Sequence, residues 1–273
     1  MILFRWFTRA CIAGMFLFSC NEEEFFTECE IIGISIKEKS VDIDYIFDIG
    51  GVKRLKEVTA YQGTDSSFQL LYNYEGGQLS KIEKVDTVRD VTIKYFDIQY
   101  SGTVLKGYRE YIYNFTADNF DKGRELLYVY EQDNIVEIQY YYPNKAGDYF
   151  QVEELRFNYT TDSTFRIIRN IDVIARIAIL IGNDPVGYNP VRFEETEIWH
   201  DHKVNPFYGI VMPEKNNQFF GLLKNNTIER RSVSRTNVII PLETFEVSYN
   251  SFGNFISGES NKKVITAWYR NCL

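Results

Sequence analysis

The feature that most constrains the fold is an alternation of polar and apolar residues with a period of two, which runs from Glu30 through most of the chain. The stretches VTIKYFDIQY (91–100) and ELLYVY (125–130) show it clearly, with Tyr, Phe, Ile and Val at most apolar positions. β-Branched and aromatic side chains suit the pleated surface of a strand. Turn signals such as Gly76-Gly77 and Gly253-Asn254 separate these stretches. The sequence therefore predicts an all-β protein.

Several hairpins look like copies of one unit: an aromatic-x-aromatic strand end, a polar turn with Gly or Asn, and a return strand that begins with aliphatic residues. The copies are YNYEGGQLSKI (72–82), YVYEQDNIVEI (128–138), VSYNSFGNFIS (247–257) and FNYTTDSTFRI (157–167). A lone hairpin is marginally stable in water, so successive units must pair with one another. We predict an antiparallel meander of repeated hairpins with about 12 to 16 strands. The sheet is expected to curl or to close like a barrel, because a long open edge invites aggregation.

One interior segment departs from this pattern. RNIDVIARIAILIGND (169–184) is the most apolar interior stretch, and the spacing of Ile171, Ile174, Ala178 and Ile181 also suits one face of a helix. Its five isoleucines favour a strand that is buried on both faces. We expect a strand over 169–181, with a helix as the alternative.

The first residues of the chain have the pattern of a targeting signal. A basic segment with Arg5 and Arg9 is followed by the apolar run CIAGMFLF (11–18) and the small residue Ser19, which is the plan of a secretory signal. The apolar run is too short to cross a bilayer as a helix, which needs about 20 residues. Residues 1–19 are therefore predicted to be a cleaved signal peptide, and residues 30–273 a single all-β domain.

The sequence Leu17-Phe18-Ser19-Cys20 resembles a bacterial lipobox, in which the cysteine is lipidated and becomes the first mature residue. The tract Glu22, Glu23 and Glu24 resembles the acidic tag of surface lipoproteins of the Bacteroidetes type. This resemblance implies anchorage in the outer membrane facing the exterior, with the periplasmic face as the alternative. The other interpretation is an unlipidated Cys20 behind an ordinary signal peptide. In either case charge repulsion keeps residues 20–29 extended as a tether.

The hairpin units resemble YD repeats, and behind a lipobox they resemble a group of Bacteroidetes lipoproteins of unknown function with a porin-like or curled β-sheet. The stretches WHDHKVNPFYGIV (199–211) and NNQFFGLLKNNTI (216–228) add to this resemblance. What the resemblance implies is an architecture. It carries no catalytic residue over to this chain.

The sequence contains no recognisable grouping of catalytic residues. Motifs for nucleophilic hydrolases, phosphate-binding loops and helical zinc proteases are absent from the sequence. His200 and His202 would lie on one face of a strand and are candidate metal ligands, although a solvated hairpin end explains them as well. We expect neither an enzyme nor a cofactor.

The charge of the chain bears on its partners. Its formal net charge is -8, and removal of the signal would also remove Arg5 and Arg9. An acidic surface repels nucleic-acid phosphates, so we expect no nucleic-acid partner. Cys29 and Cys272 lie near the two chain ends, and the sequence leaves open whether they form a disulfide or stay as two free thiols.

Aromatic residues suggest the role. The chain has 20 Tyr and 21 Phe, and a tyrosine ring can stack on the apolar face of a sugar while its hydroxyl forms a hydrogen bond. Tyr140, Tyr141 and Tyr142 are the candidate ligand-facing rings, because neighbouring rings on a strand point to both faces. We expect a membrane-anchored binding module for an extracellular glycan or protein. The alternative is a carrier with an apolar cavity lined by Ile174, Ile177, Ile179 and Ile181.

Overall fold

The structure is a computed structural model that describes residues 30–38, 41–48, 53–62, 65–132, 134–161, 164–213, 225–234 and 239–270. Cys20, Glu22, Glu23, Glu24, Cys29 and Cys272 lie outside the described residues. The predictions made for these positions therefore stay predictions.

The described residues form one sheet of 17 strands and one helix. The strands are β1 (Glu30–Glu38), β2 (Asp42–Phe47), β3 (Leu55–Gln62), β4 (Asp65–Glu75), β5 (Gln78–Asp86), β6 (Val91–Ser101), β7 (Val104–Asn114), β8 (Asn119–Glu131), β9 (Asn134–Pro143), β10 (Tyr149–Thr161), β11 (Thr164–Ile171), β12 (Val191–Val204), β13 (Asn225–Ser234), β14 (Ile239–Thr244), β15 (Glu246–Tyr249), β16 (Phe255–Glu259) and β17 (Lys263–Arg270). The helix, α1, spans Val173–Ile181 between β11 and β12.

The sheet is a meander that closes on itself. From β1 to β14 each strand pairs antiparallel with the next, and β1 pairs with both β2 and β17. β14 and β15 follow each other in one direction and are interrupted at Phe245, whose amide donates to Ile228 O at 2.9 Å. Because an antiparallel ring needs an even number of strands, β14 and β15 act as one strand of a nearly closed barrel. The predicted all-β meander is thereby confirmed, with 17 strand segments where about 12 to 16 were expected.

The alternation in the sequence becomes an inner and an outer face of the barrel. Between β6 and β7, Ile98 pairs with Tyr108, and both side chains are buried in the interior. One residue away, Asp97 pairs with Arg109 on the opposite face. The same alternation is found in the other strands of the sheet. Apolar side chains therefore point mainly to the inside of the barrel, and polar side chains cover much of the outside.

The hairpin unit read from the sequence is present. YNYEGGQLSKI forms the end of β4 and most of β5, with Gly76 at φ 57° and Gly77 at φ 88°. Positive φ at both central residues defines the type I′ turn, whose twist matches that of the flanking strands. Glycine is the residue that adopts this conformation without a steric penalty.

The expected strand over 169–181 is wrong beyond Ile171. Asp172 is the N-cap of α1, and its Oδ1 accepts a hydrogen bond from Ala175 N at 2.8 Å. Gly182 ends the helix in the left-handed conformation, and its amide donates to Ile179 O at 3.0 Å. The five isoleucines suggested a strand, but this pair of caps selects the helix. Ala175 is the buried residue of α1, so most of its apolar surface faces outward.

Alternate turns place the connections at two ends of the barrel. The end that carries α1 also carries the turns 87–90, 115–118 and 144–148, and we call it the helix end. At the opposite end β1 begins, and residues 205–213 leave β12 and turn into the interior. We call that segment the plug, and that end the plug end.

Candidate functional site

The plug fills the interior from one end. Asn205 starts it, and the Asn205 Oδ1 atom accepts a hydrogen bond from Phe207 N at 2.9 Å, which fixes the turn at Asn-Pro. Phe207, Ile210, Val211 and Met212 are all buried. The Phe207 ring meets Tyr45 edge to face, with ring centroids 5.1 Å apart. The segment therefore belongs to the core and not to an external loop.

Three inward side chains hold the far part of the plug by its carbonyl groups. Tyr72 Oη donates to Val211 O at 3.0 Å, and Tyr108 Oη donates to Pro213 O at 3.0 Å. Arg124 Nη2 also donates to Pro213 O, at 2.8 Å. Buried carbonyl groups need such partners, because an unpaired one costs the full desolvation penalty.

Two small cavities flank the plug. One has a volume of about 30 Å³ and is lined by Phe207, Val247, Phe255 and Ile265 among others, and the other has about 20 Å³ beside Met212. A cavity of that size holds one or two waters. Neither cavity has room for an acyl chain. The isoleucines expected to line a carrier cavity lie elsewhere, on α1 at the helix end.

Toward the helix end the interior becomes charged. Glu110 is buried and bonds Lys94 Nζ at 2.6 Å, and Arg124 Nε lies 3.4 Å from it. Glu153 bonds Arg169 Nε at 2.6 Å in the same way. A third buried acid, Glu243, accepts from Arg230 Nη2 at 2.7 Å. Each buried carboxylate thus faces an inward cation, which offsets the cost of removing it from water.

On the outside of the barrel, aromatic rings cluster across β6, β7 and β8. Tyr95 and Tyr111 stack with centroids 4.6 Å apart and planes 11° apart. Phe120 lies edge-on to Tyr95 at 4.9 Å and to Tyr113 at 5.2 Å, and Phe115 meets Tyr113 at 4.9 Å. We call these five residues the outer aromatic cluster. It faces solvent because Tyr95 pairs with Tyr111, one residue out of phase with the buried Phe96.

The hydroxyl groups of Tyr95 and Tyr113 have raised pKa values. Burial is the main cause that raises the pKa of Tyr95 above its ordinary value, and the nearby Tyr111 and Asp97 add to the effect. The hydrogen bond to Asp118 raises the pKa of Tyr113. Both hydroxyls therefore remain hydrogen-bond donors, and they lie beside apolar rings.

Charged side chains border the outer aromatic cluster. Arg109 Nε bonds Glu125 Oε1 at 2.6 Å on the same outer face. Lys81 Nζ lies 5.9 Å from the centroid of Tyr95, and the Arg89 guanidinium lies 5.2 Å from that of Phe115. These contacts hold the rings in place and leave polar groups at the margin of the surface.

The tyrosine run that the sequence singled out is divided between the two faces. Tyr140 has no exposed surface and lies inside the barrel, so it contributes to the core and not to a ligand surface. Tyr142 points inward as well and is partly buried against the core. Tyr141 lies on the outer face, where its hydroxyl donates to Gln139 Oε1 at 3.0 Å. Sequence reasoning missed Tyr95 and Tyr111, because only the strand register brings them together.

The two histidines lie near the end of β12. His200 Nδ1 is 2.9 Å from Asp201 O, and His202 is exposed. Within the described ranges, no three His, Cys, Asp or Glu side chains are grouped so that they could hold a metal ion. In the same part of the chain, no helix has the length and apolar character needed to cross a membrane.

Comparison with known proteins identifies the fold. No family model matches the chain, and no curated protein matches it. Among solved structures, a porin-like protein from Bacteroides uniformis is similar with a TM-score of 0.52 and 9% identity, over 88% of this chain and 96% of that one. A porin-like protein from Bacteroides vulgatus has a TM-score of 0.49 and 10% identity, over 88% and 99% of the two chains. The first likeness shows a shared all-antiparallel barrel fold.

Proposed function

We propose that the chain is an outer-membrane-anchored surface lipoprotein that acts as a non-catalytic binding module for an extracellular glycan. The observation that carries this proposal is the outer aromatic cluster, in which Tyr95 and Tyr111 stack on the outside of a barrel, while a cluster of apolar side chains packs inside it. Aromatic residues that pack on the outer face of the sheet do not contribute to the core, so their presence there requires another explanation. A ligand with apolar faces and many hydroxyl groups supplies one.

The chemistry of a sugar suits this surface. The exposed fractions of Phe115 and Phe120 are 56% and 37%, so each presents apolar ring surface to solvent. The C–H faces of a pyranose pack on such rings, while its hydroxyl groups bond to phenols and to charged side chains at the edge. Arg109, Glu125 and Lys81 lie at that edge. An extended neutral glycan therefore fits better than a strongly charged one.

The charges on the outer wall favour attachment to the membrane by a lipid over insertion of the barrel into the bilayer. Charged pairs recur round it, as in Arg156 with Glu154 at 2.8 Å and Arg166 with Glu197 at 3.3 Å. A barrel that spans a bilayer carries an apolar outer band, and charges there are destabilising. We therefore infer that the wall stands in water and that lipid on Cys20 holds the protein to the outer membrane.

A glycan array with the chain from Asn21 onward tests the binding proposal. Tyr111→Ala and Phe120→Ala should each weaken binding to the selected glycan by roughly tenfold or more, because each removes a ring from the surface. Tyr159→Ala is the matched control, since Tyr159 is an exposed ring away from the cluster. Failure of the folded chain to bind any glycan would contradict the proposal. Equal losses in all three variants would do the same.

The anchor is tested separately in cells. Cys20→Ala should release the protein from membranes or leave its precursor uncleaved. Replacement of Glu22, Glu23 and Glu24 by Ala should leave the protein lipidated but protected from external protease. A Cys20→Ala protein that is still processed and membrane-bound rejects lipidation at this residue.

The carrier alternative has less support than the binding module. Among the described residues, the two cavities beside the plug are about 30 and 20 Å³ in volume, so neither of them reaches the ~300 to 1,000 Å³ of a usual ligand pocket. A surface protein remains a partner to be tested on the same aromatic residues. Loss of its binding in Tyr111→Ala would assign it to the outer aromatic cluster.

A further inference from the structure

The helix α1 exposes an unusual amount of aliphatic surface. The exposed fractions are 77% for Ile174, 52% for Ile177, 76% for Leu180 and 64% for Ile181. The helix has no acidic residue in its first turn, and Arg176 is the one charged residue among its nine. Exposed apolar groups that are this dense mark a surface that meets another apolar phase.

Other apolar tips lie at the same end of the barrel. Val88, in the turn between β5 and β6, is 85% exposed, and Phe115 lies in the turn between β7 and β8. Contacts link neighbouring turns of this rim: Arg89 covers Phe115, Lys122 Nζ of β8 donates to Gly147 O at 3.1 Å, and Asn144 Nδ2 donates to Asp184 Oδ1, three residues after the end of α1. The rim of the helix end therefore presents several apolar projections beside α1.

The shape of this rim argues against a second copy of the chain as its partner. A helix of nine residues is about 14 Å long and about 10 Å wide. A stable interface needs about 800 Å² on each partner, several times that footprint. The apolar tips are also separate and convex, so a protein partner would need a matching groove for each of them. A fluid lipid surface can adapt to the tips without such grooves.

The charges beside the tips fit a phospholipid surface. Arg176 is exposed beside the apolar residues of α1, and Arg89 and Arg192, which pair with Asp86 and Glu195, are exposed on the same rim, so all three lie where phosphate groups would meet it. Asp90 and Asp118 lie in the same turns, so the rim is mixed in sign. Insertion of aliphatic side chains, and not charge attraction, must then provide most of the binding.

The length of the tether allows the rim to reach the membrane that holds the anchor. Residues 21–29 span up to about 30 Å when extended, at about 3.3 Å per residue. Strands β6 and β7 have eleven residues each, so a tilted barrel of this kind is about 30 Å tall. A chain anchored at Cys20 can therefore lie with its helix end on the same bilayer. This step rests on the proposed lipidation.

We propose that the helix end docks on a lipid bilayer, with α1 lying in the interface and Ile174, Ile177, Leu180 and Ile181 inserted among the acyl chains. The four inserted residues of this site lie outside the outer aromatic cluster, although the rim shares Phe115 with that cluster, and its ligand is different. Loss of glycan binding would leave it intact, and loss of lipid binding would leave the glycan surface intact.

Vesicle flotation tests this with the chain from Asn21 onward, which has no lipid and retains every described strand. The chain should float with phosphatidylcholine vesicles, and raised salt should change this little. Leu180→Asp should lower the partition coefficient by roughly tenfold or more. Val204→Asp is the matched control, because Val204 is 66% exposed at the plug end. It should float like the parent chain.

A fluorescence measurement adds a second readout. Leu180→Trp should show a blue shift when vesicles are added, because the indole enters the interface. A folded parent chain that does not float overturns the proposal, and so does equal loss in Leu180→Asp and Val204→Asp. Flotation only with anionic vesicles that salt abolishes overturns apolar insertion. A dimer broken by Leu180→Asp, without flotation, assigns α1 to a second copy.

Discussion

At the scale of single residues, Gly107 marks the tightest point of the barrel wall. It lies in β7 next to a register shift against β6, and its φ is 152°. A Cβ atom there would overlap Leu126 O and lie 2.9 Å from the Leu126 carbonyl carbon. Because the obstacle is backbone of the neighbouring strand, no side-chain rotation can relieve it. Glycine at this position lets β7 and β8 pair through the irregularity.

We predict that Gly107→Ala destabilises the protein by about 3 kcal/mol or more, because two paired strands must separate to admit the methyl group. Gly102→Ala is the control, since Gly102 has a φ of 63° but nothing within 4 Å of its Cβ position. That change should cost only about 1 to 2 kcal/mol. Denaturant unfolding of both variants measures the difference. Equal costs would mean that conformation and not the overlap decides.

At the scale of elements, the plug was visible in the sequence and its role was not. The stretch KVNPFYGIV contains the turn-forming pair Asn205-Pro206, and the structure has a turn there. Nothing local indicated that the residues after it enter the barrel, because Phe207 and Val211 meet side chains more than a hundred residues away. A segment with no periodicity becomes core when the ring around it leaves space to fill.

Replacement of the main plug side chain tests this role. Phe207→Ala should destabilise the protein by about 3 to 5 kcal/mol, since a buried ring is lost and the wall around it can collapse only in part. Phe252, in the exposed turn between β15 and β16, provides the control, and Phe252→Ala should change stability by about 0.5 kcal/mol or less. Thermal or denaturant unfolding reports both. A small effect at Phe207 would place the plug outside the cooperative core.

The contrast between predicted and missed elements has a physical reason. Strands and hairpins were predictable because period two and turn residues such as Gly76-Gly77 act over a few positions. The strand was preferred to the alternative helix α1 because its aliphatic composition favoured a strand, while the helix is selected by two single residues, the caps Asp172 and Gly182. The outer aromatic cluster needed the register of β6 against β7, which no single strand contains.

At the scale of the whole molecule, the two ends of the described chain meet. Glu30 of β1 pairs with Arg270 of β17, and Arg270 Nε donates to Glu30 Oε2 at 2.6 Å. Cys29 precedes the first of these residues directly, and Cys272 follows the second by two positions. Both cysteines lie outside the described residues, but their described neighbours are partners in one ladder.

We therefore predict that Cys29 and Cys272 form a disulfide when the protein folds under oxidising conditions. Intact mass measured without reductant should be two hydrogen masses below that of the reduced chain, and neither thiol should react with iodoacetamide. Reduction should lower the free energy of unfolding by up to ~5 kcal/mol in the chain-entropy model for a loop of this length. Alkylation of both cysteines without reductant would instead show two free thiols.

The pairing of β1 with β17 also determines when the barrel can close during folding. The two strands lie about as far apart in sequence as the chain permits, with 240 positions between Glu30 and Arg270. Hairpins between neighbouring strands can form early, whereas this contact must wait until the last strand has been made. Until then the partly folded meander keeps two unpaired edges, which are templates for misassembly with another chain. The slow step in folding is therefore expected to be the closure of the ring, and a helper that shields unpaired strands would act in that interval.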